Sequence, residues 1–313
     1  MQFDWPTPDQ ITYRIHRLRR LVALAIALPV LVLLGGSLID TAFISPDRAT
    51  LAAMAVAVMV VGHVILFPNA GLETIAMSLG VTAMSVAAPW IKAIAVVAPL
   101  EYQTAALVML IILSVIATGL LIAGLQVALG FVMMIGPMKA WRLRGAVNVP
   151  CSPEVARGQF ALQPNVRRGR ILTGQADENG FFDVAILAPQ IADPETPGNP
   201  MIVRVAAKLM AETTDSQQTM LVLPNGRMTV TSEQFTKTAD GCRVEITELP
   251  GDFTIGMYLM FWLTDQQMDN LTETADLISG HLARANGLAH GVSFMSIIGA
   301  VLAPQPKVVG GAD

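Results

Sequence analysis

Charge is what this chain has least of. Only 14% of its residues are Asp, Glu, Lys or Arg, against roughly 25% in an ordinary soluble domain, and nearly all of them precede Leu21 or follow Lys139. An ordinary soluble domain is thereby excluded between those points. The net charge of -4, with no basic cluster away from the apolar flanks, excludes nucleic acid as a partner, because phosphate binding needs gathered cations. Cysteine is nearly absent too. Cys151 and Cys242 make neither a disulfide framework nor a metal-ligand spacing, so no metal site is expected. With four histidines, of which only His281 and His290 lie beyond Lys139, no Ser/His/Asp triad can be assembled. Gly35-Gly36 falls inside an apolar run and Gly310-Gly311 in a tail, so there is neither a phosphate loop nor a dinucleotide fingerprint and no cofactor is expected. Asp183 and Glu212 read as solvated strand positions. No catalytic residue is assigned, and the protein is read as a non-enzyme.

What replaces charge is apolar length. A helix needs about 20 mostly apolar residues to cross the hydrocarbon core, and Leu21–Ile39, Ala49–Phe67, Leu72–Ala88 and Gln103–Ile135 reach or approach that length. These segments predict an α-helical transmembrane bundle of about four spans over residues 21–138, after an N-terminal segment 1–20. Arg14, Arg17, Arg19 and Arg20 precede the first span, and Lys139, Arg142 and Arg144 follow the last. By the positive-inside rule both ends of the bundle face the cytoplasm. The protein is therefore expected to be integral to a membrane, that of a bacterial inner membrane, with the lipid bilayer as its first partner. The segment Pro89–Tyr102, with Trp90 and Tyr102, is expected to lie in the outer interface. The fourth run carries Gly119, Gly124, Gly130 and Gly136, and small residues allow close packing in lipid, which marks it as the central helix of the bundle.

An ionisable residue at membrane depth is a functional candidate by default, and His63 is the one here. Its imidazole is suited to ligating a metal or to relaying a proton to Glu73 across the Phe67–Leu72 turn. The plainer reading is a side chain one turn from the end of its span that reaches the headgroups.

After Lys139 the pattern changes to short alternating segments. Ala146–Pro150 predicts a strand, and Ser152-Pro153-Glu154 starts a short helix with Ser as N-cap and Pro at the first position. Arg170–Ala176 and Gly180–Ala188 flank an Asn179-Gly180 hairpin signal, and Pro189–Pro200 is an exposed loop. Met201–Ala211, Gln218–Leu223, Arg227–Lys237 and Cys242–Glu248 each alternate with a period of two. That makes a seven-stranded antiparallel sheet. One long helix, Phe253–Arg284, is expected to close the domain and lie against it.

The order strand, short helix, meander and C-terminal helix resembles the SRPBCC superfamily, the START-like or helix-grip α+β fold. The resemblance is carried by Val149-Pro150-Cys151-Ser152-Pro153-Glu154-Val155, similar to that superfamily's "apxexV" start, and by Asp240-Gly241-Cys242-Arg243-Val244-Glu245-Ile246, similar to its "gGTrVt" signature with Cys242 in place of Thr. It covers residues 145–285. It implies a cavity between sheet and long helix that takes a lipid, sterol, polyketide, quinone or other apolar small molecule.

From the residues themselves, Met257, Tyr258, Met260, Phe261 and Trp262 on the long helix, with Met220 and Met228 on strands, offer a ligand-binding wall of adaptable apolar side chains. An ordinary core is the alternative for the same residues. Residues 286–313, apolar over Gly287–Ala303, are expected to lie on the bilayer or dock on the domain. Two functions follow: a membrane-anchored binding module for a lipid or other apolar molecule, or a non-catalytic assembly subunit of a larger membrane-protein complex.

Overall fold

The computed structural model describes residues 5–39, 44–97, 99, 102–168, 171–192 and 200–285. The expected tail Gly287–Ala303 lies outside them. The chain divides into a helical unit through Met134 and a sheet-bearing unit from Ile135.

The helical unit opens with α1 (Pro8–Arg17), whose start is a reciprocal capping box between Thr7 and Gln10. Four helices long and apolar enough to cross a membrane follow: α2 (Arg19–Ile39), α3 (Pro46–Leu66), α4 (Gly71–Val96) and α5 (Gln103–Met134). The α3–α4 turn carries no cation of its own, but α1 supplies two. Arg17 donates to the Asn69 Oδ1 at 2.8 Å and the Pro68 carbonyl at 3.3 Å, and Arg14 donates to the Ile65 carbonyl. These bonds satisfy carbonyls that the end of α3 leaves open. They also set the chain start and the α3–α4 turn at one end of the bundle, as the two intervening helices α2 and α3 require.

Two expectations about the helices are corrected. Helix α4 does not stop at Ala88 but runs through Pro89 to Val96, so Pro89–Val96 of the segment expected at the interface continues that helix. Nor is α5 central. Only its Ile122 is buried, against Ala76 and Met77 of α4, and Gly80 brings the two backbones together there. Gly119 and Gly124 face open space. The helix that packs against α2, α3 and α5 alike is α4, whose small and hydroxyl residues, such as Ser78 donating to the Ala25 carbonyl, permit close approach.

The second unit is an antiparallel sheet of eight strands in the order β1-β8-β7-β6-β5-β4-β3-β2. These are β1 (Leu143–Val149), β2 (Arg167–Arg168), β3 (Ile171–Thr173), β4 (Phe181–Ala192), β5 (Pro200–Glu212), β6 (Ser216–Val222), β7 (Met228–Thr238) and β8 (Gly241–Leu249). The count exceeds the expected seven because Arg167–Arg168 folds back on Ile171–Thr173 as a strand of its own. Helix α6 (Pro153–Phe160) follows β1, with the Ser152 hydroxyl accepting from the Val155 N–H.

The expected single long helix is two, α7 (Ile255–Thr264) and α8 (Gln267–Ile278). Asp265 separates them in the left-handed region at φ 50°, a conformation that a short polar side chain tolerates better than most. The helix that grips the sheet is α8. Its Leu271 and Ala275 join Val149, Phe235, Cys242 and Val244 in one core cluster, and Gly145 of β1 leaves room for Leu271 and Met268.

Candidate functional site

Side chains alternate faces along a strand, and register partners share a face. The buried positions Val149, Val244, Phe235, Thr219, Ala207 and Val184 therefore define the inner face of the sheet. Among the described residues two apolar clusters cover it. One joins β1, β8 and β7 to α6 and α8, and the other gathers Phe182, Val184, Val205 and Ala207 with Leu162, Ile171 and Leu221. Between them β6 and β7 put polar residues on the same face, with Gln217 opposite Glu233 and Thr219 opposite Thr231, and with Thr229 opposite the apolar Leu221. On the far side of β7, Thr231 pairs with Glu248. The result is a polar strip between two greasy walls.

Glu233 is the centre of that strip. It is 5% exposed, and its Oε2 is buried without a hydrogen-bond partner. Burial pushes its carboxyl up to about 8, against the opposing pull of the Arg168 and Arg157 charges. At neutral pH the group is thus mostly protonated, one O–H donor beside a carbonyl acceptor. Next to it, the Gln217 amide donates to the Leu162 carbonyl at 2.6 Å and to the Thr219 hydroxyl at 3.3 Å, while its Oε1 is buried and unpaired. Burial, then the nearby Asp252 charge, also raises the Glu248 carboxyl. Arg168 anchors on the Ala161 carbonyl at 3.1 Å, and burial lowers its guanidinium while Glu233 opposes that shift. A site of this kind fits a largely apolar molecule with a carbonyl or hydroxyl aimed at Glu233 and Gln217. Among the described residues no cluster could hold a metal ion.

None of the residues singled out from the sequence falls on this strip. Met220 pairs with Lys208 and Val230, and Met228 is 53% exposed, so both sit on the outer face. The period of two puts them there. Met257, Tyr258, Met260, Phe261 and Trp262 are all on α7, and none belongs to either cluster on the inner face. Tyr258 packs instead on Trp141 with ring centroids 4.9 Å apart, and Phe261 on Phe253 at 4.6 Å. Trp262 is exposed. The signal that would have found Glu233 is parity: Thr229, Thr231, Glu233 and Phe235 occupy one face of β7, and Phe235 is apolar enough to mark that face as inner.

His63 lies in the helical unit. Rather than reaching headgroups it is buried, with Nε2 2.9 Å from the Glu73 Oε1 and Nδ1 3.0 Å from the Thr74 hydroxyl. The Thr74 hydroxyl in turn donates to the Ala70 carbonyl at 3.0 Å, so toward His63 it accepts, and the imidazole bridges Thr74 and the Glu73 carboxyl inside the helical unit.

An open cavity of about 810 Å³ lies where the two sequence motifs meet, lined by Cys151, Glu154, Asp215, Lys237 and Gly241 among others. The Cys151 thiol is raised by burial, which makes it a poor nucleophile at neutral pH.

No family model matches the chain, and no curated protein matches it. Solved structures resemble it over a little under half its length. Protein CV1439 of Chromobacterium violaceum is 14% identical, with 45% of this chain and 98% of that one covered and a TM-score of 0.33. Protein MLL2253 of Mesorhizobium loti is 9% identical over 45% and 97%, with a TM-score of 0.30. The di-domain ARO/CYC StfQ from the steffimycin biosynthetic pathway is 14% identical over 45% of this chain and 50% of that one, with a TM-score of 0.31.

Proposed function

We propose that the protein is a membrane-anchored binding module, in which the sheet unit holds a small apolar molecule bearing one polar handle against Glu233 and Gln217. The four long apolar helices hold it in the bilayer, with the sheet unit on the cytoplasmic side. The observation that carries this reading is a pair of buried, cross-strand polar atoms, Glu233 Oε2 and Gln217 Oε1, that no protein group satisfies between two apolar clusters. Leaving such an atom unpaired costs about 1–3 kcal/mol, and a ligand carbonyl or hydroxyl offsets that cost. The role is read as binding, with the proton held on Glu233 and the Gln217 amide as the groups that orient the molecule.

A second reading, an assembly subunit of a membrane complex, draws on α5. Most of its residues are exposed and only Ile122 is buried, and an apolar groove of about 440 Å³ runs between Ala88 and Ile91 of α4 and Leu107, Ile111 and Thr118 of α5. Organic extraction of the purified full-length chain, followed by mass spectrometry, separates the two. Binding predicts one dominant small molecule that Thr231→Phe, which fills the polar strip, displaces without altering the bundle. Identical extracts from both proteins favour the assembly reading.

A further inference from the structure

Helix α7 and the segment leading into the sheet unit together make an apolar surface whose place in the chain is tightly constrained. The helix has no charged residue from Ile255 to Thr264. Ile255, Leu259 and Trp262 are 45%, 43% and 46% exposed, and their i, i+4, i+7 spacing puts them on one face. Met138 and Trp141, 44% and 42% exposed, extend the same kind of surface. The two pieces are joined by a Met138–Thr254 bridge, by the Lys139 N–H donating to the Phe253 carbonyl at 3.3 Å, and by the Trp141–Tyr258 ring contact.

The covalent tether fixes where this surface can go. Helix α5 ends at Met134, and the chain carries no charge from Gln103 through Met138. Met138 is four residues past the helix end, a reach of at most about 14 Å at full extension. Thr254, the N-cap of α7, is bridged to it. The uncharged run ends only at Lys139, so the start of α7 is held close to the first residue after α5 that has to leave the hydrocarbon. The chemistry at that depth matches. Trp141, Tyr258 and Trp262 are of the type enriched at headgroup level, and Lys139 and Arg142, both exposed, are placed for lipid phosphates.

We infer that α7 is an interfacial helix that lies in the bilayer surface, with Ile255, Leu259 and Trp262 turned into the acyl-headgroup boundary. The inference rests on the membrane reading proposed above and adds a second, non-spanning point of membrane contact to it. It also accounts for a ten-residue apolar helix that grips neither face of the sheet's core clusters.

Nitroxide scanning of the full chain tests it. The protein is reconstituted in vesicles of equal parts palmitoyloleoyl phosphatidylcholine and phosphatidylglycerol, with Cys151 replaced by Ala so that only an introduced cysteine is labelled. Labels are placed at Leu259→Cys, at Val115→Cys on α5 and at Lys237→Cys on the exposed end of β7. The expected result is that Leu259, like Val115, collides more with oxygen than with a water-soluble nickel chelate, while Lys237 shows the reverse. A Leu259 label that follows Lys237 while Val115 follows oxygen overturns the inference and leaves the membrane reading intact. A Val115 label that follows the chelate overturns both.

Discussion

Replacing Glu233 by Gln should remove a pH dependence that the wild-type sheet cannot avoid. Burial raises the carboxyl from an ordinary 4.5 to about 8 in the folded chain. Between those values the folded protein keeps a proton that the unfolded chain has already released. Stability therefore falls as pH rises through that window, and is flat below its lower end and above its upper end. From pH 4.5 to pH 7 the loss is about 3 kcal/mol, or roughly 150-fold in the opening equilibrium, at 1.36 kcal/mol for each factor of ten. Glu233 is almost fully buried, so solvent screening does not reduce this appreciably. Glu248, also raised, acts in the same direction, which is why the comparison must be between variant and wild type. Hydrogen exchange followed by mass spectrometry on full-length protein in detergent reads it locally. After correction for intrinsic exchange, peptides covering β6 to β8 should lose protection from pH 5 to pH 7.5 in the wild type and lose far less in Glu233→Gln. Parallel curves for the two proteins would refute a buried, proton-holding Glu233.

Three further outcomes are expected. Gly241→Ala should cost at least about 1–3 kcal/mol, because Gly241 sits at φ 147° and a Cβ there would lie 2.1 Å from the Val149 carbonyl oxygen. Gly145→Ala, whose Cβ meets only the side-chain ends of Leu271 and Met268, should be milder, and equal urea midpoints for the two variants would contradict the backbone clash. His63→Ala should lower the melting temperature of the helical unit by an amount equivalent to about 1.5–3 kcal/mol, with Glu73→Gln closer to wild type because the amide still bonds the imidazole; the reverse order would refute the paired geometry. In the folded protein a maleimide should modify Cys151 well before Cys242, which is fully buried, and equal rates would show that the core around Cys242 opens readily.

Much of the architecture was legible because it follows from pattern length and parity. Long uncharged runs marked the four helices, and Asn179-Gly180 marked a hairpin that the structure contains. The glycine of the second motif has a local cause, the crossing of β1 over Gly241. What failed were features decided by tertiary contacts. The stripe of Met and aromatic residues in Ile255–Leu263 reads as a core wall only if one helix runs through Asp265, and a single left-handed residue there hands the gripping role to α8. The glycines of α5 promised a central helix, yet packing close enough to need a glycine occurs at Gly80 of α4. Glu233 escaped notice because an isolated acid in a Thr-rich strand looks solvated until the strand's inner face is known. His63 was found by its depth alone, but its burial depends on the α3–α4 turn, which brings Glu73 and Thr74 under the ring.

The central claim is that the polar strip on the sheet holds a small molecule, and native mass spectrometry of the full chain ejected from membrane nanodiscs tests it most directly. The account predicts a stoichiometric adduct of one defined small mass on the wild type, strongly reduced in Glu233→Leu and unchanged in His63→Ala. A bare wild-type chain, or a heterogeneous lipid ladder that is the same in Glu233→Leu, would contradict it.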